Sequence, residues 1–252
     1  MSMSVAKNLM AEMKLKGMLY SVDRLTTEAL NDEWSHSELI DALIEAEYEY
    51  KKEKKIENKI RVAKLKLKPE LEDFDYTAKR SITKPQFKEL TTLKWIKQGR
   101  AVVLIGQTGV GKTFISQALA LHACRNNLST LSMTITQLIE NLMLARSSNS
   151  YLKFKDKIDK TELIVIDDFG SRKLTSVEAQ DLCEIIEDRN LGKSIIITTQ
   201  LPLSNWNEVI SDPVIADAII DRLIHTSITI EIKGDSYRKI KGRELDKGDL
   251  KK

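Results

Sequence analysis

Lys112 and Thr113 follow Gly106, Gln107, Thr108, Gly109, Val110 and Gly111, completing a G-x-x-x-x-G-K-[ST] pattern. Glycines at 106, 109 and 111 let the backbone curl until successive N–H groups point at one oxyanion, and a helical segment opening at Phe114 adds its N-terminal dipole. The chemistry is nucleotide phosphate binding. Lys112 would bridge β- and γ-phosphate oxygens, and Thr113 would supply a hydroxyl to Mg2+. A helix-entry turn that merely needs glycine explains the glycines but not the Lys-Thr pair.

Downstream, Leu163-Ile-Val-Ile-Asp-Asp168 is an apolar run ending in two carboxylates. Asp167 suits the Mg2+ shell, and Asp168 the role of general base or water-orienting group, which needs a carboxylate just beyond the metal-binding one. A turn signal at a strand end is the competing reading. Ser194-Ile-Ile-Ile-Thr-Thr-Gln200 ends in polar groups where a parallel sheet opens its ligand crevice. Thr199 or Gln200 could there contact the γ-phosphate or attacking water, and a Thr-Thr-Gln turn into Pro202 explains the same residues as well. In Asp221-Arg222-Leu223, Arg222 could reach a neighbouring subunit's γ-phosphate, as an arginine finger does, or pair locally with Asp221.

These residues need a sheet to hold them. Ala101–Ile105, Thr130–Met133, Leu163–Ile166, Ser194–Thr199 and Ser227–Ile232 read as strands alternating with helical segments, and their nearly continuous apolar character demands helices on both faces. The fold class is therefore α/β, a three-layer domain with a parallel five-stranded sheet. Ahead of it, residues 4–25 show helical spacing interrupted near Gly17. Ser35-His-Ser-Glu38 forms a capping-box pattern opening a long helix over about 37–66, which Pro69 ends. The expected organisation is a helical N-terminal domain over 1–69, a connector over 70–85 and the α/β domain over 86–252.

Hydrophobic residues at 42% and charged residues at 31% suit a globular core with a solvated surface, excluding collagen-like, coiled-coil-only and disulfide-scaffold classes. The net charge of +3 is uninformative, but its distribution is not: residues 23–49 carry nine acidic residues against one basic, and residues 51–68 nine basic against two acidic. From Lys233 onward there are eight basic and four acidic residues. Such runs fit either solvated helix faces, with ends complementing the helix dipole, or phosphate-backbone contacts. Cys124 and Cys183 lack paired spacing and read as buried apolar residues; His36, His122 and His225 suggest no metal site. No run of about 18 apolar residues or signal layout is present, so a cytoplasmic location without membrane association is expected.

Taken together, the phosphate loop, the acidic strand end, the Asp-Arg-Leu segment and Gly234-Asp-Ser-Tyr-Arg238 resemble AAA+ ATPases of the initiator and helicase-loader branch. The chain is most similar to IstB-like proteins, the transposition helper ATPases of bacterial insertion sequences. Resemblance covers nearly the whole chain, including Leu15-Lys-Gly-Met-Leu19, Leu43-Ile-Glu-Ala-Glu47, Leu71-Glu-Asp-Phe-Asp-Tyr76, and Trp206 with Asp212-Pro213.

The resemblance implies that Phe74 lies against the adenine, that Arg222 is the arginine finger, and that Arg238 is a sensor-II-like residue. It also implies ATP-dependent oligomerisation on double-stranded DNA and assistance to a transposase. Asp168 stands where many AAA+ proteins carry Glu, so hydrolysis should be slow, and the short stretch after the last strand predicts a lid domain that is absent or residual. Candidate DNA contacts are the 51–68 run, the C-terminal tail, and Lys153, Lys155 and Lys157. Competing readings are a DnaC-like helicase loader, a small-molecule P-loop kinase, and a non-enzymatic module using ATP as assembly glue.

Overall fold

The computed structural model describes residues 3–74, 81–189 and 192–234. The chain divides into two compact units, 1–58 and 59–252. Residues 59–69, expected in the helical domain, cluster with the sheet-bearing unit: Ala63 is fully buried there, and the Lys66 N–H donates to Gln117 Oε1 at 3.1 Å.

The first unit contains α1 (Met3–Glu12), α2 (Lys16–Asn31) and most of α3 (His36–Ala63). The chain breaks before Gly17, at residues 13–15, where Lys14 adopts a φ of 59°. Gly17 instead sits in the first turn of α2, pressed on α3 so closely that a Cβ would meet Ala46 O at 2.4 Å. This α2 start has Leu15 as its N-cap, which offers no side-chain acceptor. The buried Glu47 carboxylate supplies one, accepting the Met18 N–H at 3.1 Å. The Ser35–Glu38 capping box forms, with the Ser35 N–H donating to Glu38 at 2.7 Å and the Glu38 N–H to Ser35 Oγ at 3.3 Å.

The second unit holds a five-stranded sheet of β1 (Ala101–Ile105), β2 (Thr130–Thr134), β3 (Leu163–Phe169), β4 (Ser194–Thr199) and β5 (Ser227–Glu231). All pairings are parallel, in the order β2-β3-β4-β1-β5. Each strand lies where the apolar runs predict it. Helices α4 (Lys84–Thr91), α5 (Lys94–Lys97), α6 (Lys112–Arg125), α7 (Ile135–Ser147), α8 (Tyr151–Lys160), α9 (Ser176–Arg189) and α10 (Pro213–Thr226) flank it.

Alternate strand residues feed two cores. Val103, Ile166 and Ile197 pack with Leu138, Leu182 and Ile219 on one face. Val102, Leu104, Val165 and Ile196 pack with Ile115, Leu119 and Phe87 on the other. The three-layer α/β architecture follows from burial of both sheet faces. Cys124 and Cys183 are buried and unpaired, and burial pushes both thiols up.

Arg189 joins the layers. It is 1% exposed, and its guanidinium donates to the carbonyls of Ile158, Thr161, Glu162 and Ser194 at 2.6–3.2 Å. Burial pushes its pKa down to about 10, so it stays charged at neutral pH. Arg189→Met is expected to strand these carbonyls and destabilise the protein by about 3 kcal/mol; chemical denaturation measures this, and an unchanged midpoint would show that the network contributes nothing.

Candidate nucleotide-binding site

The phosphate loop is fixed at both ends. At its start, the Gly106 N–H donates to Thr199 O at 3.1 Å, and a Cβ on Gly106 would meet Ile232 O at 2.3 Å, so only glycine fits between the ends of β4 and β5. At its end, Gly111 caps α6 with a φ of 106°, a conformation that L side chains rarely adopt. Thr108, Gly109, Gly111, Lys112, Thr113 and Phe114 line a cavity of about 170 Å3 together with Leu67, Asp168 and Gln200. Val110 is buried in the core beneath.

Lys112, 7% exposed, donates from Nζ to Gly106 O at 2.7 Å and Gln107 O at 2.9 Å. Its ammonium is thus folded over the loop it would share with phosphate. Thr113 Oγ1 lies 3.1 and 3.2 Å from the two carboxylate oxygens of Asp167. This contact reaches across the sheet, because β4 separates β1 from β3. The intervening strand takes part: Thr198 Oγ1 donates to Asp167 Oδ1 at 2.5 Å and accepts the Asp168 N–H at 3.0 Å.

Asp168 has a φ of 58°, and the β3–β4 register shifts between Ile166 and Phe169. This irregularity turns the Asp168 side chain out to solvent while Asp167 and Phe169 stay buried at 2%. Asp168 therefore lines both the phosphate cavity and an adjoining one of about 230 Å3, which Lys112, Thr199 and Gln200 also line.

The polar end of β4 resolves residue by residue. The buried Thr199 hydroxyl accepts the Leu201 N–H at 3.0 Å and so makes the turn, while Gln200 is exposed to the phosphate cavity. Thr198, which the sequence reading missed, is the hydroxyl that holds Asp167. Strand parity is the signal that finds it: Ile196 and Thr198 share the sheet face of Val165 and Asp167.

Other expected site residues lie apart from this cavity. Phe74 is a core residue, 3% exposed and stacked on Phe87 at 4.4 Å, with the Phe114 ring 6.3 Å away. The ring expected against adenine is thus covered by aromatic packing, and Phe114 is the aromatic that lines the cavity. Arg222, on α10, donates to Ala218 O and to Glu187 Oε1, both at 3.0 Å; the Glu187 bond holds its pKa above the ordinary value. Asp221, the alternative local partner, lies 3.2 Å from His225 Nε2 and also contributes to raising the Arg222 pKa. Lys155 pairs with Asp188 at 3.1 Å and Glu184 at 3.5 Å, so the Lys153–Lys157 trio does not act as one patch. Arg238, Asp75 and Tyr76, and the basic tail beyond residue 234 lie outside the described residues.

Residues 8–244 match the sequence model of the IstB-like ATP binding protein family. The chain belongs to this family. An insertion sequence ATP-binding protein of Sinorhizobium fredii is 35% identical over 232 residues, covering 92% of this chain and 95% of the relative. Solved structures of DnaI (TM-score 0.56, 20% identity, 66% of this chain and 91% of that one) and the DnaC helicase loader (TM-score 0.53, 18% identity, 65% and 96%) share the fold. The α/β domain has the architecture of AAA+ domains.

Within this IstB-like chain, the donor set fits a Mg2+-bound nucleoside triphosphate. Paired hydroxyl and carboxylate oxygens at Thr113 and Asp167 suit a hard cation, and Lys112 with the curled loop suits its phosphates. Among the described residues, no cluster of three or more His, Cys, Asp and Glu side chains offers a different metal site. No helix of the described residues is long and apolar enough to cross a membrane.

One cation already stands beside the metal-type carboxylate. Lys66 Nζ lies 3.9 Å from Asp167 Oδ2. An ammonium there opposes a divalent ion on the same carboxylate, though its 46% side-chain exposure screens the effect. Lys66→Gln is expected to lower the Mg2+ concentration for half-maximal nucleotide binding roughly threefold or more. Fluorescent-nucleotide titration measures it, and an unchanged Mg2+ midpoint would refute the competition.

Proposed function

We propose that the protein is an AAA+ ATPase that binds ATP with Mg2+, oligomerises on double-stranded DNA and assists a transposase in target selection and integration. The observation that carries this reading is the convergence on one cavity of Lys112, Thr113 with its hydrogen bond to Asp167, and the outward-turned Asp168, in a chain of the IstB-like family. Lys112 exchanges its loop carbonyls for β- and γ-phosphate oxygens. Thr113 and Asp167 would hold Mg2+, which when bound would neutralise phosphate charge. Asp168 accepts a proton from, or orients, the attacking water, and Gln200 lies close enough to the same cavity to contact the γ-phosphate. Thr198 fixes Asp167 and the Asp168 backbone in this arrangement.

Arg222 acts in trans in this reading, since it lines neither cavity of its own loop. ATP held between copies stabilises their interface, and an oligomer multiplies weak phosphate contacts along DNA. Family membership and the insertion-sequence relative favour the transposition role over helicase loading, for which the DnaC likeness supports fold alone.

ADP production by the full chain, with and without duplex DNA, tests the enzymatic part. The expected result is turnover well below the enzyme median of ~10 s−1 without DNA, stimulation by DNA, and loss in Asp168→Asn with ATP binding retained. Fast hydrolysis indifferent to DNA would overturn it. An integration assay with a transposase of the same insertion-sequence class tests the partner: omission of the ATPase should abolish or scatter targeted insertion.

A further inference from the structure

Two basic stretches far apart in the sequence meet at one cleft in the sheet-bearing unit. The cleft, of about 440 Å3, is lined along β2 by Lys64 and Lys66 from the segment after α3 and by Lys157 from α8, with Ser132, Gln137 and Asn141 between them. Its one carboxylate, Glu140 on α7, leaves an excess of positive charge. All three lysines are solvent-exposed. Several lysines elsewhere in the same two runs are neutralised: Lys51 by Glu47, Lys52 by Glu49, Lys54 by Glu57, Lys155 by Asp188 and Lys160 by Asp156. Among the described residues, Lys64 and Lys157 have no such carboxylate partner.

The polar lining suits a phosphodiester. Ser132 Oγ accepts a hydrogen bond from Gln117 Nε2 at 2.8 Å, which leaves its hydroxyl proton for an incoming oxygen. Gln137 and Asn141 add amide donors, while the Phe154 ring is packed against the core and offers no stacking platform for a base. Ammonium and amide groups without an aromatic platform contact backbone rather than read sequence.

The geometry points to this cleft as the seat of the phosphate backbone of duplex DNA, with Lys64, Lys66 and Lys157 as its cations. This rests on the DNA-binding reading above and assigns it a place. It also touches the nucleotide site: Lys66 stands between the cleft and Asp167, and its N–H is bound to Gln117, which in turn holds Ser132. Phosphate in the cleft draws Lys66 off Asp167, so DNA and the Mg2+-nucleotide favour each other's binding.

The test uses the full chain carrying Lys64→Gln and Lys157→Gln together, with a labelled duplex of arbitrary sequence in Mg2+ and ATP over a salt series. Lys66 is left intact because it also touches Asp167, and Lys88→Gln on α4, outside the cleft, is the control. The double variant is expected to bind duplex about tenfold or more weakly, equally for unrelated sequences, with a log–log salt slope shallower by about 2, reflecting two lost phosphate contacts. Its nucleotide affinity and the control's DNA binding should match the wild type. A double variant with wild-type affinity and slope would overturn the cleft while leaving the DNA-binding reading in place. No duplex binding by the wild-type chain in any nucleotide state would overturn both.

Discussion

Arg222→Ala is expected to lower DNA-stimulated ATP turnover by about a thousandfold, the lower end of what an arginine finger contributes, while ATP affinity stays close to wild type. Arg222 is tied to Glu187 on α9 and lines neither cavity of its own phosphate loop, so it has no direct hold on the nucleotide bound in its own chain. Its pair with Glu187 is partly exposed and worth at most about 1 kcal/mol, so the fold should survive its loss. Arg222→Lys should rescue little, because a point charge lacks the planar fork that meets two phosphate oxygens. Complementation separates trans from cis action. Arg222→Ala mixed with Lys112→Ala should regain activity, since some interfaces then join an intact loop to an intact arginine; no recovery at any ratio would place Arg222 outside catalysis or in cis.

Lys112→Ala should weaken ATP binding by about two to three orders of magnitude, the scale of losing a buried charge-assisted contact worth roughly 3–4 kcal/mol. The ammonium sits at 7% exposure, with loop carbonyls as partners that a phosphate can replace without rebuilding the loop. Thermal melting with and without Mg2+-ATP gives an independent readout: the wild type should be stabilised by saturating nucleotide, and the variant should not at the same concentration. Equal stabilisation of both would remove Lys112 from the phosphate site.

The loop, the acidic strand end and the five strands were legible because each rests on local signals. The G-x-x-x-x-G-K-[ST] spacing is contiguous, and strands buried on both faces read as apolar runs whatever their neighbours. What escaped depends on pairing between distant segments. Thr198 meets Asp167 only because β4 lies beside β3, and Lys66 meets the same carboxylate from the other end of the sequence. Gly17 reads as a helix interruption until Glu47 and Ala46 are packed against it. Phe74 entered as an adenine contact through family resemblance alone; its local sequence says nothing of Phe87, which claims its face. For Arg222 the sequence offers an arginine finger or a local pair with Asp221; its hydrogen bond to Glu187 on α9 is visible only once α9 and α10 are packed together.

Nucleotide-gated assembly on DNA is tested by fluorescence anisotropy of a labelled arbitrary-sequence duplex of roughly five helical turns. The chain is titrated in Mg2+ with ATP, with ADP and without nucleotide, at two salt concentrations, beside Lys112→Ala. Binding is expected to be cooperative and salt-sensitive, to require ATP and to disappear in the variant. Binding of equal strength in all three nucleotide states, or in Lys112→Ala, would contradict nucleotide-gated assembly.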